Sequence, residues 1–213
     1  MRIATENLGK RFNREWIFKG LTRTFQTGIC YAIIGPNGSG KSTLMQVLWG
    51  QVPPSEGQLT YFDRHDNPVL TEDVFKHISI ATPYLELIDE FTLSEMVRFH
   101  FRFKNLKKDI RQEEVLDKME LAHAHAKRIS QFSSGMKQRL KLALAFYSDT
   151  EVLFLDEPTT NLDSHATGWY LENLREQSDR IIFIASNQPH EYPESAQKID
   201  LSTLKAKVTK KSL

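Results

Sequence analysis

The 213 residues include 28 Lys plus Arg against 27 Asp plus Glu, so no overall field draws the chain to nucleic acid or to an anionic membrane, and no nucleic-acid partner is expected. A chain of this length can bury a full hydrophobic core without covalent staples. The single cysteine, Cys30, excludes an internal disulfide framework and argues against a cysteine-based metal site; inside an apolar run it reads as a small buried hydrophobe.

At the N-terminus, MRIATENLGK lacks the apolar core of a signal peptide. No stretch approaches the roughly 18 consecutive apolar residues that span a bilayer. The expectation is a cytoplasmic protein that serves any membrane process by docking. Short apolar runs at 16–18, 29–34, 59–62, 78–81, 152–155 and 181–185 predict strands, several too apolar to be half-exposed. Helical stretches between some of them predict an α/β domain with a largely parallel central sheet, to which the first sixty or so residues add a more hairpin-like layer.

GPNGSGKS (Gly35, Pro36, Asn37, Gly38, Ser39, Gly40, Lys41, Ser42) follows the strand ending at Ile34, and a helical run over 43–49 opens with Thr43. This is the G-x-x-x-x-G-K-[ST] spacing in its strand-loop-helix context. Glycines let successive N–H groups turn inward without Cβ clashes, forming an anion nest at a helix N-terminus. Lys41 is placed to reach β- and γ-phosphates, and Ser42 to ligate Mg²⁺. The expectation is a bound nucleoside triphosphate rather than a merely flexible glycine-rich connection.

Thr92 and Glu95 then form a T-x-x-E capping box, with Leu93, Met96, Val97 and Phe101 at helical spacing. A second helix is expected over 112–122, so the segment reads as a small helical insertion, and KNLKKDIRQEE (104–114) as a solvated connection and helix face. His123 and His125, two apart on a predicted helix, share no face and do not predict a metal site. FSSGMKQRL (132–140) offers Ser133, Ser134 and Gly135 at the start of the next helix, which alone is an ordinary cap.

VLFLDEP (152–158) is a buried strand ending in paired carboxylates. Asp156 is placed to hold the Mg²⁺ shell, and Glu157 to orient or deprotonate an attacking water, which makes hydrolysis the default expectation. IIFIASNQ (181–188) likewise delivers Ser186 and Asn187 from the end of a buried strand. The C-terminal KAKVTKKSL reads as a solvated end.

Phosphate loop, helical insertion, SSGMKQR, LDEP and NLD, in this order, resemble the nucleotide-binding subunits of ATP-binding cassette (ABC) transporters over nearly the whole chain. The resemblance implies a single ABC ATPase domain over 1–213, with a nucleotide-binding core at 1–82 and 131–213 and a helical subdomain at 83–130. It implies ATP and Mg²⁺ as cofactors and a second ABC subunit, identical or not, in a head-to-tail dimer. Integral membrane transporter subunits would be contacted through FHFRF (99–103) and the region of Tyr84, which places the chain on the inner face of the cell membrane.

By the same resemblance Phe12 stacks on adenine; Ser133 and Gly135 match the L-S-G-G-Q signature that grips a γ-phosphate across the interface, while Phe132, Ser134 and Met136 depart from it. Asn161, Leu162 and Asp163 match the loop that communicates between paired sites. The family's glutamine should fall near Pro83 or Tyr84, where none stands. Asn187 occupies the place of the switch histidine: a carboxamide donates and accepts hydrogen bonds but takes up no proton, which implies slow hydrolysis with Glu157 as the main catalytic group, Lys41 and Asn187 assisting, and His190 turned away by Pro189. The segment SNQPHEYPES is similar to that of small haem-exporter ATPase subunits. The competing expectations are a soluble ABC ATPase and a nucleotide-gated assembly module that hydrolyses slowly.

Overall fold

A computed structural model describes residues 1–204; the tail KAKVTKKSL lies outside the described residues. An antiparallel sheet is built from β1 (Arg2–Phe12), β2 (Glu15–Gln26), β4 (Glu56–Phe62) and β5 (Pro68–Val69), in the order β2-β1-β4-β5. The second sheet is parallel throughout and runs β6-β7-β8-β3-β9, with β3 at Cys30–Ile34, β6 at Ile78–Ala81, β7 at Val152–Asp156, β8 at Ile181–Ala185 and β9 at Gln197–Asp200. This is the α/β architecture with a hairpin-like layer that the apolar runs predict. The N-terminal strands are much longer than the run at 16–18, and β1 and β9 carry no apolar run at all. Their pairing comes from neighbours distant in the chain.

Every residue of β7 and β8 is buried because both faces of the sheet are covered. Leu153, Leu155, Ile182 and Ile184 pack with Leu140, Leu144, Trp169 and Tyr170 on one side. Val152, Phe154, Ile181 and Phe183 pack on the other with Phe25, Tyr31 and the first helix, α1 (Lys41–Leu48). The period-2 alternation of strand side chains thus feeds two cores at once. Phe154 and Phe183 stack across the β7-β8 pair with ring centroids 4.9 Å apart. Cys30 is half-buried against the first cluster, and burial pushes its thiol up to about 12, consistent with an inert apolar group.

Helix α2 (Leu93–His100) starts at Thr92 with both bonds of the expected capping box. The expected helix over 112–122 is not present in one piece. A 3₁₀ turn at Gln112–Glu114 leads into α3 (Val115–Lys118), which stops because Glu120 adopts a left-handed conformation with φ 57°. The Leu121 N–H donates to the Leu116 carbonyl and the Glu120 N–H to that of Asp117, a Schellman closure. Ending there lets Val115, Met119, Leu121 and Ala124 all face the core, which a continued helix would not allow. Two longer helices, α4 (Ser134–Tyr147) and α5 (Ser164–Arg175), flank β7 in sequence, and a final turn, α6 (Leu201–Leu204), closes the described chain.

Strand order decides what meets at the top of the sheet. β8 lies between β3 and β7, with Ala185 paired to Ile33 on one side and to Asp156 on the other. The segments leaving these three strands, which begin at Gly35, Glu157 and Ser186, therefore emerge side by side at the carboxyl edge, where α/β sheets place their ligands.

Candidate functional site

The loop after β3 is closed by one internal bond, from the Ser39 N–H to the Pro36 carbonyl at 3.0 Å, and is shaped to leave amides on either side of that bond free. Gly40, the residue before α1, has φ 103°, and a Cβ added there would lie 2.1 Å from the Ile17 Cγ2 of β2. A glycine is required on both counts. The helix it opens has no side-chain cap and no acidic residue in its first turn, so the N–H groups and positive dipole end are uncompensated. Ser39 is buried and its hydroxyl is without a partner among the described residues. A cradle of unpaired donors beside an uncapped helix is chemically suited to a polyanion. The buried Lys41 folds back across the loop and donates from Nζ to the Gly35 carbonyl at 2.9 Å.

The hydroxyl of Ser42 donates to Asp156 Oδ2 at 2.6 Å, joining the start of α1 to the end of β7 across 114 residues. Asp156 is buried, and that burial, supplemented by the nearby charge of Glu157, raises its carboxyl above the ordinary value against the pull of the Ser42 hydroxyl. A metal ion would reverse this imbalance. Among the described residues no group of three or more His, Cys, Asp and Glu could hold a metal ion by itself, and His123 and His125 form no such group. Two converging oxygens, one carboxylate and one hydroxyl, instead fit a Mg²⁺ that completes its shell with water and phosphate oxygens.

Glu157 takes the left-handed conformation, φ 45°, and its N–H donates to the Ala185 carbonyl at 2.9 Å. A non-glycine residue in this region is uncommon and persists only where its surroundings hold it. On the other side of Ala185, Asn187 reaches the phosphate loop directly. Its Oδ1 accepts from the Gly35 N–H at 3.4 Å, and its Nδ2 donates to Asn37 Oδ1 at 2.9 Å. A single carboxamide thus bridges a donor and an acceptor at once. His190 is exposed on the 3₁₀ turn Pro189–Glu191 that follows, whereas Glu191 is turned inward and buried, a placement the sequence did not announce.

Two sequence-predicted groups lie apart from this cluster. Ser133 caps α4, its Oγ accepting the Met136 N–H at 3.2 Å while its own hydrogen stays available. Gly135, in the first turn, lies so close to the Asn161 carbonyl that an added Cβ would be 2.8 Å from it. Asn161 is left-handed at φ 66°, and Asp163 caps α5 by accepting from the Ala166 N–H at 2.7 Å. Phe12, at the end of β1, is 47% exposed and not part of the core. Its hairpin partner β2 supplies Ile17, which touches the phosphate loop, so the ring stands on the element that flanks the cradle.

No glutamine occupies the segment after β6. The Thr82 and Pro83 carbonyls accept from Lys141 Nζ of α4, at 3.3 and 3.0 Å. Tyr84 is 80% exposed and shares a cavity of about 460 Å³ with Ser42, Gln46, Thr82 and Asp156. Within the sequence FHFRF, Phe101 packs on the core while Phe99 and Phe103 are exposed. Among the described residues no helix is long and apolar enough to cross a membrane.

Comparison with known proteins agrees with this geometry. Residues 18–160, which contain the phosphate loop and both carboxylates of β7 and its end, match the family described as ABC transporter. The chain is 34% identical over 181 residues to the Nod factor export ATP-binding protein I of Rhizobium sp. (strain N33), covering 82% of this chain and 59% of that protein. It is 33% identical over 176 residues to the protein of the same name from Burkholderia lata, covering 81% and 58%. The chain therefore spans little more than half the length of these relatives. Among solved structures, an ABC transporter ATP-binding protein from Pyrococcus furiosus superposes with a TM-score of 0.80 at 20% identity, covering 97% of this chain and 100% of that one. A bacterial Atm1-family ABC exporter with ATP bound gives 0.76 at 20% identity, covering 93% and 36%. At such identities these two show a shared fold. Together with the family match and the loop, hydroxyl and carboxylates at one sheet edge, they identify the chain as a member of the ABC transporter family.

Proposed function

We propose that this chain is the ATP-binding and hydrolysing subunit of an ABC transporter, working as a head-to-tail dimer that couples hydrolysis to substrate movement by membrane subunits. The observation that carries the reading is the Ser42 to Asp156 contact of 2.6 Å beneath an uncapped, donor-lined loop. The nucleotide-binding core would comprise 1–82 and 131–213, with 83–130 as the helical subdomain.

The loop from Gly35 to Thr43 holds the phosphates through those of its amides that have no internal partner, and Lys41 exchanges the Gly35 carbonyl for a phosphate oxygen. Phe12 offers its exposed face to the adenine. Ser42 and Asp156 are the residues that would hold Mg²⁺, which when bound neutralises charge on the β- and γ-phosphates. Glu157 orients the attacking water and takes its proton. Asn187 keeps its Oδ1 on the loop and turns Nδ2 from Asn37 to the γ-phosphate. It supplies a hydrogen bond without a proton, so turnover is slow. Ser133, with its hydroxyl hydrogen still free, and Gly135 complete the site of a second cassette. Exposed Phe75, Tyr84, Leu85 and Phe103 provide the apolar rim for membrane subunits at the inner face of the membrane. The relatives' names, which speak of export, favour outward transport.

The test is calorimetry of ATP with and without Mg²⁺, followed by turnover of the assembled protein and of Glu157→Gln. The expected result is Mg²⁺-dependent ATP binding in both, hydrolysis only in the native protein, and an ATP-stabilised dimer in the variant. Binding that ignores Mg²⁺, or equal turnover by Glu157→Gln, refutes the reading. Isolation from detergent extract should recover a multi-span membrane protein; recovery of soluble machinery alone would favour a soluble ABC ATPase.

A further inference from the structure

Glu191 is 1% exposed, yet it is a carboxylate. Its Oε1 accepts from both the N–H of Thr159, at 2.9 Å, and the Thr159 hydroxyl. Its backbone carbonyl accepts from the Tyr170 hydroxyl of α5 at 2.6 Å. Its Oε2 is buried without a partner among the described residues. A buried polar oxygen left unpaired forfeits its hydration without recompense, so packing alone favours an apolar side chain here. A cost of this kind, retained beside a reactive site, calls for another reason.

Position supplies it. Thr159 is two residues beyond Glu157, and Glu191 is four beyond Asn187. The connecting loop is held at three successive residues by three different elements: the Glu157 N–H by the Ala185 carbonyl of β8, the Pro158 carbonyl by Gln138 Nε2 of α4 at 2.9 Å, and Thr159 by Glu191. The first of these residues carries a left-handed backbone that needs such restraint. We propose that Glu191 is a positioning residue, whose carboxylate clamps the loop after Asp156 so that Glu157 and Asn187 keep a fixed separation across the phosphate loop. This rests on the hydrolytic function proposed above. Two backbone or hydroxyl donors converging on one charged oxygen form a stiffer link than a neutral pair, and a reactive group displaced by about 1 Å loses about a hundredfold in rate.

The test uses Glu191→Gln, which keeps shape and removes charge, and Thr159→Val, which removes the hydroxyl alone. In the assembled protein, kcat is expected to fall about tenfold in each variant, with the calorimetric Kd for Mg-ATP unchanged within about twofold and Tm unchanged within about 2 °C. The double variant is expected to be no slower than the slower single one, because both disrupt one interaction. Native-state hydrogen exchange at the Thr159 amide, followed without nucleotide, is expected to quicken in Glu191→Gln. An unchanged kcat in both variants overturns the proposal. So does a loss of rate matched by equal losses of nucleotide affinity or of Tm, since that marks a packing role. Were the native protein inactive, the hydrolytic function would fall by itself; faster exchange at Thr159 would still uphold the clamp, and unaltered exchange would overturn it.

Discussion

Asn187→Ala separates ground-state contacts from those that matter only during reaction. In the structure the carboxamide makes one good hydrogen bond, to Asn37 at 2.9 Å, and one long one, from Gly35 at 3.4 Å, and the residue is exposed. A neutral bond contributes about 0.5–1.5 kcal/mol net, at the low end when solvent competes. The ground-state effect on ATP affinity is therefore expected to stay below about tenfold. A donor aimed at charge developing on the γ-phosphate is different in kind, and its removal costs about 3 kcal/mol, or roughly a hundred- to thousandfold in kcat. The assay is phosphate release by the assembled protein at saturating Mg-ATP, with KM measured in parallel. Alanine should lower kcat by about a hundredfold with little change in KM. Asn187→Asp keeps the shape but sets a negative charge against phosphate. At about 4 Å and an effective dielectric constant of about 20, that repulsion approaches 4 kcal/mol. ATP affinity should fall sharply. Asn187→His should restore a donor and add a pH limb near 6.5, where imidazole titrates. Native turnover by the alanine variant, or native ATP affinity in the aspartate variant, would refute the reasoning.

Asp156→Asn should stabilise the nucleotide-free protein at neutral pH. Burial raises this carboxyl above its unfolded value, so its charged form destabilises the native state at pH values above both, and the amide removes that penalty. Thermal unfolding should show a higher Tm without ligand and a lost gain in Tm from Mg-ATP. His100 predicts an acid limb elsewhere in the molecule. Burial, helped by the Lys104 charge and opposed by the Leu144 carbonyl, lowers its pKa from 6.5 to about 4, and its Nε2 lies 2.9 Å from the Ser148 hydroxyl of the segment after α4. The unfolded chain binds the proton more readily, so stability should decline as pH falls through 6.5 towards 4, by up to about 3 kcal/mol. Denaturant unfolding at stepped pH measures it. Replacement by glutamine should flatten that portion of the profile, and an unchanged profile would show that His100 is not its source.

The phosphate loop was legible in the sequence because its geometry is local. Glycines, an uncapped helix start and the preceding strand are contiguous, and a few dihedral angles determine where the amides point. The buried runs of β7 and β8 were legible for a similar reason, since covering both sheet faces leaves a continuous apolar signature. Helix length was misjudged at 112–122, because a left-handed Glu120 is selected by the burial of Met119 and Leu121 rather than by any helix-breaking residue. Strands β1 and β9 gave little signal, since their residues find partners only when the sheets assemble.

What the residues alone determined is a chemical inventory: an anion nest, an oxygen pair suited to a hard cation, a carboxylate for water and an asparagine that cannot titrate. What only tertiary structure decided is which members of that inventory meet. The order β7-β8-β3 sets Asn187 against Asn37 across 150 residues and Glu191 against Thr159 across 32. Such contacts follow from strand order and register, which are set by the global burial of apolar faces. A side chain four residues along the same turn can therefore be exposed or locked inside with no local mark to distinguish the two.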